Sequence, residues 1–144
     1  MLFGKRNRIV KRIVIVEDEP LTAFDNEVML ADLGYDVVAT LDSFEDAIVL
    51  LDREDVDLVL SDLRITGERS GLDLARAAKS RGIPVLFSTG HKLPDEAKAV
   101  AIGCLMKPYT ERQLKNALEA IDRVLAGETV KAPKGLDLYP LEES

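Results

Sequence analysis

Hydrophobic positions along the chain alternate between short continuous runs and a three-to-four spacing. Lys11–Val16 is a β-branched run and predicts a strand. Pro20 suits a first helical position, and Leu21, Phe24, Val28 and Ala31 then recur at helical spacing, predicting one inward face that ends near Gly34. Val37–Leu41 reads as the second strand. Ser43 with Asp46 three residues later opens a helix through Leu51. Val56–Leu60, broken only by Asp57, is the third strand and leads to Asp62. Thr66–Gly71 reads as a loop and Leu72–Ser80 as a helix, with Gly71, Leu74, Ala75 and Ala78 on its packed side. Pro84–Phe87 predicts a strand, Asp95–Ile102 a short Ala-rich helix, and Cys104–Met106 a fifth strand. Thr110 with Gln113 forms a capping box before a stripe of Leu114, Leu118, Ile121 and Leu125, which ends at Gly127.

Strands alternating with helices imply an α/β fold with both faces of a parallel sheet covered. The expected architecture is a doubly wound five-stranded parallel sheet in the flavodoxin-like order 2-1-3-4-5, helices on both faces. The expected division is a basic N-terminal arm over 1–10, one domain over 11–127 and a C-terminal tail without an element over 128–144.

Composition narrows the function. The 144 residues suit one domain. A net charge of −7 persists although residues 1–12 carry five basic groups and no acid, so the chain beyond the arm is strongly acidic. Such a surface argues against binding a nucleic-acid backbone. No apolar run approaches the roughly 20 residues of a membrane span. A single cysteine, Cys104, and a single histidine, His91, exclude a disulfide pair within the chain and a Cys- or His-rich metal cluster. A cytoplasmic location is the expectation.

In a parallel sheet, functional groups gather beyond the carboxyl ends of the strands. Strand 1 ends at Glu17, Asp18 and Glu19, strand 3 at Asp62, strand 4 at Ser88 and Thr89, and strand 5 at Lys107. Several carboxylates, a hydroxyl and an ammonium are therefore expected on one rim. Clustered carboxylates repel unless a proton or a cation joins them, and hard oxygen donors suit Mg2+. A carboxylate is already ionised at neutral pH and needs no separate base to act as a nucleophile. With Lys and Thr to stabilise charge on phosphoryl oxygens, the set reads as an aspartate that accepts a phosphoryl group.

The runs IVIVEDEP, LVLSDL, PVLFSTG and LMKPY resemble the receiver domain of two-component response regulators, over about residues 11–127. The resemblance implies that Asp62 is the phosphoacceptor. It implies that Glu17 and Asp18 are the acidic pair for Mg2+, with Asp18 as direct ligand and the Arg64 carbonyl as another. Thr89 is then the switch hydroxyl, Lys107 the paired lysine, and Lys107-Pro108 a candidate cis peptide. Four positions depart from the pattern. Cys104 stands where an aromatic switch is usual, Ile65-Thr66 replaces Met-Pro, and Gly90 follows Thr89. Phe87-Ser88-Thr89-Gly90 is similar to the Phe-x-Thr-Gly signature of an atypical, stand-alone subgroup that lacks the aromatic switch.

Simpler roles stand beside these. Asp18 or Glu19 can cap the helix at Pro20. His91 can be a solvated loop residue or sit over the site. Cys104 reads as a small buried hydrophobe, and Tyr109 as either a packing group or a partner contact. The resemblance implies a module, not an enzyme, that assists only its own phosphorylation and dephosphorylation. Its expected partners are a histidine kinase or histidine phosphotransfer protein and an output protein, because no second domain is expected after Gly127. The alternatives are a receiver-like interaction module that is never phosphorylated and a Mg2+-dependent aspartate-nucleophile phosphohydrolase. The latter needs a second acid two residues after its nucleophile, where Arg64 stands.

Overall fold

In the computed structural model, which describes residues 8–140, each β-branched run becomes a strand of one sheet. β1 (Arg12–Val16), β2 (Asp36–Leu41), β3 (Leu58–Ser61), β4 (Val85–Thr89) and β5 (Gly103–Met106) pair in parallel in the expected order 2-1-3-4-5. Side chains alternate across a strand, so β1 feeds two cores. Ile13 and Ile15 join Leu30 of α1 (Pro20–Asp32) and Leu114, Leu118 and Ile121 of α4 (Glu111–Leu125). Val14 and Val16 join Ala47 and Leu51 of α2 (Phe44–Arg53) and Leu74, Ala75 and Ala78 of α3 (Gly71–Ser80). Side-chain oxygens of Ser43, Ser70 and Thr110 accept from the main-chain N–H three residues on, and the boxes at Ser70–Asp73 and Thr110–Gln113 are reciprocal.

Several expectations need correction. The segment expected as a tail contributes a sixth strand, β6 (Leu136–Leu138), antiparallel to β5 at the sheet edge. Met106 N–H donates to the Gly135 carbonyl and Tyr139 N–H to the Ile102 carbonyl, while Leu136 is buried in the α1–α4 core. A three-residue strand is too short to leave a periodic signal. Gly103 makes room for it, since a Cβ there would overlap the Asp137 carbonyl.

The α1 stripe faces the wrong way. Leu21, Phe24 and Val28 are 74, 61 and 43 % exposed, and the inward face is Ala23, Asn26 and Leu30. Both sets have helical spacing; the inward one was hidden because Asn26 is polar.

The Ala-rich helix shrinks to a 3-10 turn over Asp95–Ala99. No side chain caps its start at Pro94, and Ile102 N–H already donates to Val85 of β4, so the chain is pulled into the sheet before an α-helix can extend. The third strand also starts later than expected, since Asp57 lies before it. Its carboxylate accepts from Lys11 and Arg12 N–H, tying the start of β1. Of the basic arm, residues 1–7 lie outside the described residues, as do 141–144 of the expected tail; Arg8 stacks over the Tyr35 ring.

Candidate functional site

Strand ends set the site. Past Val16, Glu17 N–H donates to Leu41 of β2, and past Ser61, Asp62 N–H donates to Val16 of β1. The two carboxylates therefore leave neighbouring strands at one level. Lys107 follows β5, and its N–H donates to the Thr89 carbonyl at 3.0 Å. Its side chain reaches across β4, where the ammonium donates to Glu17 Oε1 at 2.8 Å and Asp62 Oδ2 at 2.9 Å. The Lys107-Pro108 peptide is cis, as the resemblance implied.

Each carboxylate keeps a second oxygen on the main chain. Glu17 Oε2 accepts from Glu19 N–H and Asp62 Oδ1 from Arg64 N–H, both at 3.2 Å. Glu17 is buried, and burial pushes its carboxyl up while the hydrogen bond from Lys107 pulls it down. Burial pulls Lys107 down, but the hydrogen bonds to Glu17 and Asp62 outweigh it and hold the ammonium up. Lys107 thus stays cationic between two acids, placed to meet a further anion.

The remaining expected residues divide. Thr89 is buried at the end of β4, and its hydroxyl oxygen accepts from His91 N–H at 3.2 Å, turned along its own loop. The His91 ring is exposed. Asp18 and Arg64 are exposed on the loops after β1 and β3. Glu19 caps α1: its carboxylate accepts from Thr22 N–H at 2.7 Å, which lowers its pKa. Cys104 is buried, and burial pushes its thiol up to about 11. Among the described residues, no three His, Cys, Asp or Glu side chains converge closely enough to hold a metal ion by themselves.

Two contributions left no clear mark in the sequence. Gly71 brings α3 against the loop after β3: its N–H donates to Leu63 O at 2.7 Å, and a Cβ there would overlap the Asp62 carbonyl. A glycine one residue past a polar helix cap was the available signal. The hydroxyl of half-buried Tyr109 joins buried Asn26 and Ser88 in a hydrogen-bonded group, for which the sequence holds no periodic mark.

Comparison with known proteins identifies the family and the fold. A family model described as the response regulator receiver domain matches residues 13–119. The transcriptional regulatory protein PdtaR of Mycobacterium tuberculosis is 30 % identical over 146 residues, covering 94 % of this chain and 71 % of that protein. The signal receiver domain of a modulated diguanylate cyclase from Desulfovibrio desulfuricans G20 superimposes with a TM-score of 0.74 at 30 % identity, covering 83 % of this chain and 99 % of that one. The receiver domain of sensor histidine kinase PA1611 from Pseudomonas aeruginosa PAO1, solved with a magnesium ion in its active-site cleft, superimposes with a TM-score of 0.68 at 25 % identity, covering 76 % of this chain and 95 % of that one. Receiver domains bind Mg2+ in their active sites and interact with histidine kinases, phosphotransfer proteins and output partners. The family model covers most of the described residues and the sheet has the matching parallel order, so the chain belongs to the response regulator receiver domains.

Proposed function

We propose that Asp62 is the phosphoacceptor of this receiver domain and that its modification changes how the chain binds an output protein. The observation that carries the reading is the single ammonium of Lys107 held between Glu17 and Asp62. A carboxylate oxygen of Asp62 attacks the phosphorus of a phosphohistidine on a histidine kinase or phosphotransfer protein. The new O–P bond forms as the P–N bond breaks; the imidazole nitrogen keeps that electron pair, takes a proton from solvent and leaves neutral. Lys107 neutralises charge on the phosphoryl oxygens, and the Thr89 hydroxyl turns from His91 N–H to donate to one of them.

The donor set fits Mg2+. Glu17, Asp18, Asp62 and the Arg64 carbonyl offer only hard oxygens, and the exposure of Asp18 leaves room for water. Bound there, the ion supplies positive charge at the transferring group. Donor docking falls to the face of α1 beginning two residues past Asp18, where Leu21, Phe24 and Val28 are exposed and no element among the described residues covers them. The domain then acts as a signalling module rather than an enzyme. Cytoplasmic placement fits this role; no helix among the described residues is long and apolar enough to cross a membrane.

The test is incubation with acetyl phosphate and Mg2+. One phosphoryl group should add to the wild type, read as a mass shift, and none to Asp62→Asn. Retention of the shift in that variant would move the acceptor elsewhere. Asp18→Asn should raise the half-saturating Mg2+ concentration more than Glu17→Gln does, because Glu17 is buried and already engaged by Lys107.

A further inference from the structure

Three polar side chains beneath the site take no part in the transfer chemistry. Asn26 of α1 is 2 % exposed and Ser88 of β4 is 1 % exposed. Tyr109 lies between them: its hydroxyl donates to Asn26 Oδ1 at 2.5 Å and accepts from Ser88 Oγ at 3.2 Å. Apolar groups of similar size would avoid the loss of hydration that these three suffer. What directional bonds add is a fixed geometry.

The fixed elements are those that bear the site. Ser88 directly precedes Thr89, Tyr109 follows Lys107 by two residues, and Asn26 sits on the helix that begins just past Glu19. Met106 is the last residue held by the sheet; beyond it Pro108 is exposed and gives the loop after β5 no buried anchor. Lys107 N–H anchors it to the Thr89 carbonyl, and the Tyr109 side chain anchors it two residues later. A lysine stem is flexible, so the ammonium is well placed only if its main chain is held.

We infer that Tyr109 is a positioning residue: through Ser88 and Asn26 it holds the loop after β5 so that the Lys107 ammonium meets the phosphoryl group at Asp62. This role rests on Asp62 being the phosphoacceptor.

Tyr109→Phe keeps the ring and deletes both hydrogen bonds. With phosphoramidate as donor, phosphorylation rates are measured by mass over a range of donor and Mg2+ concentrations. The maximal rate should fall about tenfold, since small misplacements of a reacting group are costly in rate. Half-saturating Mg2+ should not move, because its oxygen ligands are untouched. Ser88→Ala should show the same split and add nothing to Tyr109→Phe, because both act through one hydroxyl. A wild-type maximal rate in Tyr109→Phe, or a change confined to Mg2+ half-saturation, overturns the inference. Should the wild type take up no phosphoryl group, the phosphoacceptor reading fails separately. The hold on the loop is then decided by the amide NMR shifts of Thr89 and Lys107 in Tyr109→Phe: movement at both supports it, and unchanged shifts refute it.

Discussion

At the amino ends of the strands, Asp57 and Asp122 direct their charge onto main-chain N–H groups, whereas at the carboxyl ends Glu17 and Asp62 share one side-chain ammonium. Asp122 Oδ1 accepts from both Ile9 and Val10 N–H at 2.8 Å, and Asp57 Oδ2 from Lys11 and Arg12 N–H at 2.9 and 2.8 Å. Those partners belong to the backbone and cannot leave without unfolding the start of β1. Lys107 reaches its two acids by a flexible side chain, so those contacts can change with the sheet unchanged. A carboxylate answered by backbone is structural; one answered by a movable cation is available for chemistry. Both kinds include a buried member, Glu17 and Asp122, so burial alone does not separate them.

The sharpest way to break this contrast is Asp62→Asn. Phosphorylation should vanish completely, while stability to urea stays level or rises by about 1 kcal/mol, as is common when charge repulsion at a functional site is relieved. A large loss of stability would place Asp62 in the same class as Asp122. Asp122→Ala should do the reverse. Two hydrogen bonds to a buried charge disappear, and stability should fall by about 3 kcal/mol, while the folded fraction accepts phosphoryl groups at the wild-type rate. Normal urea stability in that variant would remove the structural half of the comparison.

Phe24→Ala sharpens the functional half. Its exposed ring contributes little to folding, so stability should shift by less than about 0.5 kcal/mol. Transfer from a phosphorylated donor protein should slow several-fold, with acetyl phosphate labelling unchanged. Equal effects on the two donors would take docking off α1.

The smallest effect is expected from Cys104, which burial holds neutral up to about pH 11 against an ordinary value of 9.0. The unfolded thiol ionises first, so the stabilisation is whole below pH 9 and is lost as pH rises from there to about 11. By pH 10 the loss should be about 1 kcal/mol. Urea titrations of the wild type and Cys104→Ala across this range should diverge by that amount, and parallel curves would show the thiol to be solvated.

Much of this molecule was legible in order. Continuous apolar runs marked five strands because strands buried on both faces admit no alternation, as Val85–Phe87 illustrates. Acids and a lysine at run ends marked the site because a parallel sheet sends all its strand ends to one rim. The orientation of α1 was not legible, since Leu21, Phe24 and Val28 and Ala23, Asn26 and Leu30 are equally helical in spacing. Asn26 is tolerated inward only because Tyr109, 83 residues away, supplies its hydrogen-bond partner.

The sequence by itself determined the alternation of elements, the parallel sheet and the identity of the groups at its carboxyl edge, because periodicity and strand-end chemistry are local properties. Tertiary structure alone decided which α1 face is buried, that residues 136–138 close the sheet edge, and that one ammonium bridges Glu17 and Asp62. Each of those depends on a partner distant in the chain, and local spacing carries no record of a partner brought near only by folding.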